Sequence, residues 1–192
     1  MLNASTLPSQ VALCGSESRA RLLALLVSEF KLAFGNIEYE VDNQSRVVNA
    51  QAFVRGGSRF VRLYGGFALH PLVSVDSLVF TLLHETGHHR ARGRRFAGNP
   101  KIACDCLADK WALTVGARTL RRCSGRSLNL CDALDSLNAV IGPVEAATKQ
   151  LPAWQRRSQR LHACWGGCWP TRKLLLNSGN APEPSGSCYF YS

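Results

Sequence analysis

The sequence predicts an α+β domain with a small, mostly antiparallel sheet packed on helices, and three observations lead there. Segments of strand character cluster between residues 37 and 69, segments with helical spacing dominate from residue 75 onward, and the strands are punctuated by glycine-rich hairpin chemistry. A chain of 192 residues suits one domain, expected over residues 1–165, followed by a loosely ordered tail over 166–192 that carries glycine, proline and serine with little periodicity.

Each element has a local cause. Residues 19–34 place Leu22, Leu25, Leu26, Glu29 and Leu32 three and four apart, the spacing of one helical face, and Gly35 stops the helix. Residues 37–41 alternate apolar and acidic side chains, as a short strand does. Two further strands, over 47–54 and 60–69, are separated by Arg55-Gly56-Gly57-Ser58, a hairpin turn. Gly65-Gly66 inside the second marks either a bulge or a close backbone approach. Pro71 breaks the chain, and Ser74 is positioned to cap a helix over about 75–92 that ends near Gly93. A second helix is expected over 101–119 after Pro100. Further helical pieces are expected over 128–140, closed by Gly142-Pro143, over 145–151 and over 154–165.

The formal charge is +10, and 18 of the 23 basic residues are arginine. Arg90, Arg92, Arg94 and Arg95, or Arg118, Arg121, Arg122 and Arg126, would form the phosphate footprint of a nucleic-acid-associated protein or the contact for another acidic partner; no base-reading motif accompanies them. The same arginines also suit plain solvated faces. No run of 18 apolar residues exists, so no membrane span is expected, and residues 1–18 lack a secretion signal, so a cytoplasmic location is expected. The eight cysteines are accordingly expected as thiols; Cys104 and Cys106, and Cys164 and Cys168, form no complete four-ligand zinc set.

The informative segment is Leu82-Leu83-His84-Glu85-Thr86-Gly87-His88-His89. Residues four apart on a helix lie within ~40° around the axis and ~6 Å along it, so His84 and His88 can direct imidazole nitrogens at one ion. Glu85 then points beside the metal, where a carboxylate can take a proton from an attacking water. His89 sits ~100° further round and reads as a flanking residue. A catalytic zinc needs a third protein ligand. Asp105 and Asp109, again four apart, face one side of the second predicted helix.

These two segments, HETGHH and Asp105-Cys106-Leu107-Ala108-Asp109, resemble those of the gluzincin-type HExxH metallopeptidases, nearest to the small intracellular ImmA/IrrE-like peptidases. The likeness covers about a third of the chain. It implies a zincin-like fold, with the sheet on an active-site helix and a second ligand helix, and a zinc peptidase acting on an intracellular protein or peptide. By position it implies His84, His88 and Asp105 as zinc ligands, Glu85 as general base, and Asp109 as the acceptor that orients His84. The family usually has glutamate where Asp105 stands. Either the two helices approach more closely here, or another residue is the third ligand, with the thiolates of Cys104 and Cys106 as competitors that point off the Asp105–Asp109 face. The likeness also implies that the strand over 60–69 edges the cleft and pairs with substrate. Tyr64, Arg160 and His162 are the candidates for an oxyanion donor. The alternative function is a basic nucleic-acid-associated protein with a structural or subordinate metal site.

Overall fold

Two glycines set the sheet. Gly56 and Gly57 both have positive φ, 57° and 84°, which side-chain-bearing residues rarely adopt, and so reverse the chain in two residues between β4 (Ala50–Arg55) and β5 (Ser58–Tyr64). The strands pair antiparallel from Arg55↔Ser58 to Ala50↔Leu63. On the other side of β5, β2 (Glu38–Asp42) runs parallel to it. The order is therefore β2-β5-β4, a mixed three-stranded sheet rather than a mostly antiparallel one. Two antiparallel pairs stand apart from it: β1 (Leu2–Asn3) with β3 (Val47–Val48), and β6 (Arg95–Phe96) with β7 (Asn99–Ala103). The computed structural model describes residues 2–3, 17–93, 95–96 and 99–148. The expected helix over 154–165 and the tail over 166–192 lie outside them.

The helices are α1 (Glu17–Ala33), α2 (Gly65–Ala68), α3 (Val75–Arg90), α4 (Asp105–Trp111), α5 (Ala117–Ser124) and α6 (Leu130–Thr148), with a π-helical turn at Ala112–Gly116 joining α4 to α5. In α1 the apolar stripe Leu23, Leu26 and Phe30 is buried, each side chain contributing about 1.5–3 kcal/mol on leaving water. Tyr39, Val61 and Leu63 project from the sheet into the same core, and Leu78, Leu82 and Leu83 of α3 close it. Ser74 caps α3 as expected, its hydroxyl accepting from the Ser77 amide. On the far side α6 packs Ala133, Leu134, Leu137 and Val140 into the core.

Three local expectations are corrected. The strand expected over 60–69 stops at Tyr64, where Gly65 opens α2. The β2–β3 connection passes so close that a Cβ on Gly65 would lie 2.7 Å from the Ser45 carbonyl oxygen, and one on Gly66 2.2 Å from that of Arg46. Close backbone approach, not a bulge, explains this glycine pair. The helix expected from residue 101 begins only at Asp105. Asn99 precedes Pro100, which disfavours helical backbone, and the segment pairs with β6 through Phe96↔Asn99 and Arg95↔Ala103. Finally, α6 runs through Gly142-Pro143 to Thr148, taking in residues 145–148, which the sequence places in a separate helix.

Candidate metal centre

Thirteen consecutive residues of α3, Ser77 to His89, are buried. The helix has neighbours on every side: the sheet, α4, α6 and β7. Apolar side chains alone would fill such a position most cheaply, so polar residues buried there need partners. His84, Glu85, Thr86, His88 and His89 are all polar.

His84 and His88 stand one turn apart with their rings 4.7 Å between centroids. Each is held through Nδ1. His84 Nδ1–H donates to Asp109 Oδ1 at 2.7 Å, and His88 Nδ1–H donates to the carbonyl oxygen of Ala103 at 2.7 Å. Fixing Nδ1 as the donor leaves Nε2 of both rings as the lone-pair atom. Both Nε2 atoms converge on one oxygen: His84 Nε2 lies 3.8 Å and His88 Nε2 3.6 Å from Asp105 Oδ1. These separations are too long for hydrogen bonds. Ligand atoms about 2.0–2.1 Å from a tetrahedral ion lie about 3.3 Å from one another, and one oxygen with two imidazole nitrogens is a donor set that zinc takes. The three residues thus fit a metal ion, and among the described residues they are the one group of its kind.

Asp105 reaches the histidines because α3 and α4 nearly touch. A Cβ on Gly87 would fall 2.6 Å from the backbone oxygen of Ala108 and 2.8 Å from its Cα, so only glycine allows this approach. The helices come close enough for the shorter aspartate. Cys104 occupies the cap position before α4 and does not join the group.

The electrostatics favour a cation. Burial opposes charge on His84, but the Asp109 and Asp105 carboxylates, with Glu85 beside them, outweigh it and push its pKa up to about 10. Burial likewise raises Asp105, and the two imidazoles more than reverse this, holding its carboxyl below the usual range. The same carboxylates that favour a proton on His84 would favour a metal cation in its place.

No protein-family model, curated protein or solved structure matches the chain.

Around the centre, Thr86 ties α3 to the sheet. Its hydroxyl donates to the Leu82 carbonyl at 2.6 Å and accepts from Tyr39 at 2.8 Å. His89 does more than flank: its Nε2–H donates to the Phe60 carbonyl of β5 at 2.8 Å, while burial first and the nearby Arg59 and Arg90 guanidinium groups hold its pKa down against that bond. The expected cleft-edge strand is corrected as well. β5 is the central strand with both edges paired, and among the described residues the sheet edge next to α3 that pairs with no further strand belongs to β4. Tyr64 gives its hydroxyl to Gln51 at 2.8 Å; Arg160 and His162 lie outside the described residues. Of the basic residues on and after α5, Arg118, Arg121 and Arg122 are exposed, whereas Arg126 forms a forked contact with Glu29. Among the described residues no helix is long and apolar enough to cross a membrane.

Two contributions were missed in the sequence. The Ala103 carbonyl has no side-chain signature, since any residue offers it. The Gly87–Ala108 crossing had one in principle, small residues on two facing helices, but pairing them requires knowing that the helices face each other.

Proposed function

We propose that this chain is a cytoplasmic zinc metallopeptidase of zincin-like fold that hydrolyses peptide bonds of an intracellular protein. The observation that carries the reading is the convergence of His84, His88 and Asp105 on one point from two helices, with Glu85 on the turn between the histidines. His84, His88 and Asp105 would hold zinc, which when bound would supply a Lewis acid for the scissile carbonyl and for an attacking water. Glu85 accepts that water's proton as it attacks and returns it to the departing amide nitrogen. Asp109 keeps the His84 ring in one tautomer and orientation, and Ala103 does the same for His88. Among the described residues β4 pairs on one side only, and its other edge would receive an extended substrate.

Metal analysis paired with cleavage of a peptide pool tests this. The wild-type protein should carry one equivalent of zinc, Glu85→Gln should keep it and lose cleavage, and the His84→Ala, His88→Ala double variant should carry none. Zinc retained at one equivalent by the double variant would end the assignment.

A further inference from the structure

The segments that form the sheet side and the β7 side of the metal centre contain no acidic residue: neither 43–75 nor 86–104 holds an Asp or Glu. The fold brings them together, because β4 and β7 pack on each other and both pack on α3. Six cations gather there: Arg55 and Arg59 at the β4–β5 hairpin, Arg90 and Arg92 at the end of α3, and Arg95 and Lys101 on the β6–β7 pair. All but the half-buried Arg90 are exposed.

Their relation to the metal centre is close. Arg95 stands directly across from Ala103, whose carbonyl holds His88. Arg59 precedes Phe60, whose carbonyl accepts from His89, and Arg90 follows His89 at the end of α3. The acids nearby are engaged elsewhere: Glu85, Asp105 and Asp109 in the centre, Glu38 with Lys31, and Glu40 with Arg62. Among the described residues no carboxylate pairs with Arg55, Arg59, Arg90, Arg92 or Arg95. Arg90 adds a second kind of observation, because its Nε is buried and without a hydrogen-bond partner. A buried guanidinium donor left unmatched is costly unless something anionic completes it.

We propose that the substrate is an acidic polypeptide segment, bound extended along β4 with its Asp and Glu side chains on this arginine rim. The proposal rests on the peptidase reading and names its substrate class. A nucleic acid would answer the charge equally well, but the rim borders β4, which among the described residues pairs with a strand on one side only, and a strand edge matches a polypeptide backbone and not a sugar-phosphate one. Arginine forks bind carboxylates in two-pronged fashion, and the potential of such a rim reaches about 10 Å into a 0.1 M salt solution.

The test is fluorescence anisotropy on the full chain, with and without added zinc. The probes are a 12-residue Glu/Ala peptide, its Lys/Ala counterpart and a single-stranded DNA oligonucleotide of equal charge. The acidic peptide should bind at least tenfold tighter than the basic one at low salt, and the gap should close as salt rises. The Arg59→Glu, Arg95→Glu pair should reduce acidic-peptide binding at least tenfold with an unchanged circular dichroism spectrum; if that pair unfolds, Arg59→Gln, Arg95→Gln should reduce it about threefold. Equal binding of the two peptides, or tighter binding of the oligonucleotide that displaces the acidic peptide, overturns the proposal. Acidic preference in a protein that takes up no zinc would remove the peptidase reading alone, whereas zinc uptake with no acidic preference would remove only this one.

Discussion

Helices α1 and α3 are nearly equal in length, 17 and 16 residues, yet they are built on different rules. In α1 a stripe faces the core and the opposite side meets water, with Leu25 and Leu32 left exposed. In α3 thirteen residues in a row are buried, five of them between His84 and His89 polar. A one-sided helix needs only apolar spacing. A surrounded helix has to place each residue type by direction: leucines toward the core, Thr86 and His89 toward the sheet, Gly87 toward α4, and the two histidines toward Asp105. Polar residues in the second kind of helix carry information that they lack in the first.

The largest expected effects separate the two helices by their consequences. Leu26→Ala in α1 should cost about 2–5 kcal/mol of stability and leave the zinc affinity of the folded fraction unchanged. Gly87→Val should cost about 3 kcal/mol, the upper end for overpacking, because backbone rather than a flexible side chain must move, and it should remove zinc binding as well. Denaturant unfolding with zinc titration measures both; equal zinc affinity in the two variants would erase the distinction.

A smaller effect is expected at the support of His84. Asp109→Asn should weaken zinc binding by about 10–100-fold without abolishing it, whereas Asp105→Ala should do more. A competition assay with a chromophoric chelator ranks them, and the reverse ranking would exchange the two roles.

Acidity probes the same place. In the metal-free protein the folded-state pKa of His84 stands above its ordinary value of 6.5, at about 10, so its protonation stabilises the fold fully below pH 6.5 and is lost as pH rises toward 10. The metal-free melting temperature should therefore fall across that window, and zinc binding near neutral pH should release a proton, seen as a heat that varies with buffer ionisation enthalpy. A flat profile for the metal-free protein would mean that the carboxylates do not hold that proton. The least effect belongs to α1: Leu32→Ser, at a side chain 70% exposed, should stay within about 0.5 kcal/mol of wild type.

How much was legible follows from the same contrast. The extent of α1, the Gly56-Gly57 turn and the Ser74 cap were readable because each depends on residues close in sequence, but the face of α1 was not: the buried stripe is Leu23, Leu26 and Phe30, and Leu25 and Leu32 of the expected face are exposed. The four-residue spacings of His84/His88 and Asp105/Asp109 were readable because a helix converts spacing into direction, and the structure does bring both pairs to one place. What escaped depended on distant chain. The parallel pairing of β2 with β5 is set by the crossover between them. Helix α4 begins late because β6 pairs with the residues ahead of it. The edge strand was misplaced because a single strand's sequence does not record how many neighbours it has.

Asp105, the carboxylate behind His84 and the carbonyl behind His88 all come from one short stretch, β7 and α4, residues 99–111. The candidate metal centre is therefore a clasp with two halves: α3 supplies His84, Glu85 and His88, and this single strand-and-helix segment supplies Asp105, Asp109 and the Ala103 carbonyl. Such a clasp closes in one event. Metal should protect amides of 99–111 from hydrogen exchange as a block, and a nick within that stretch should release the ion even while the sheet and α1 stay folded.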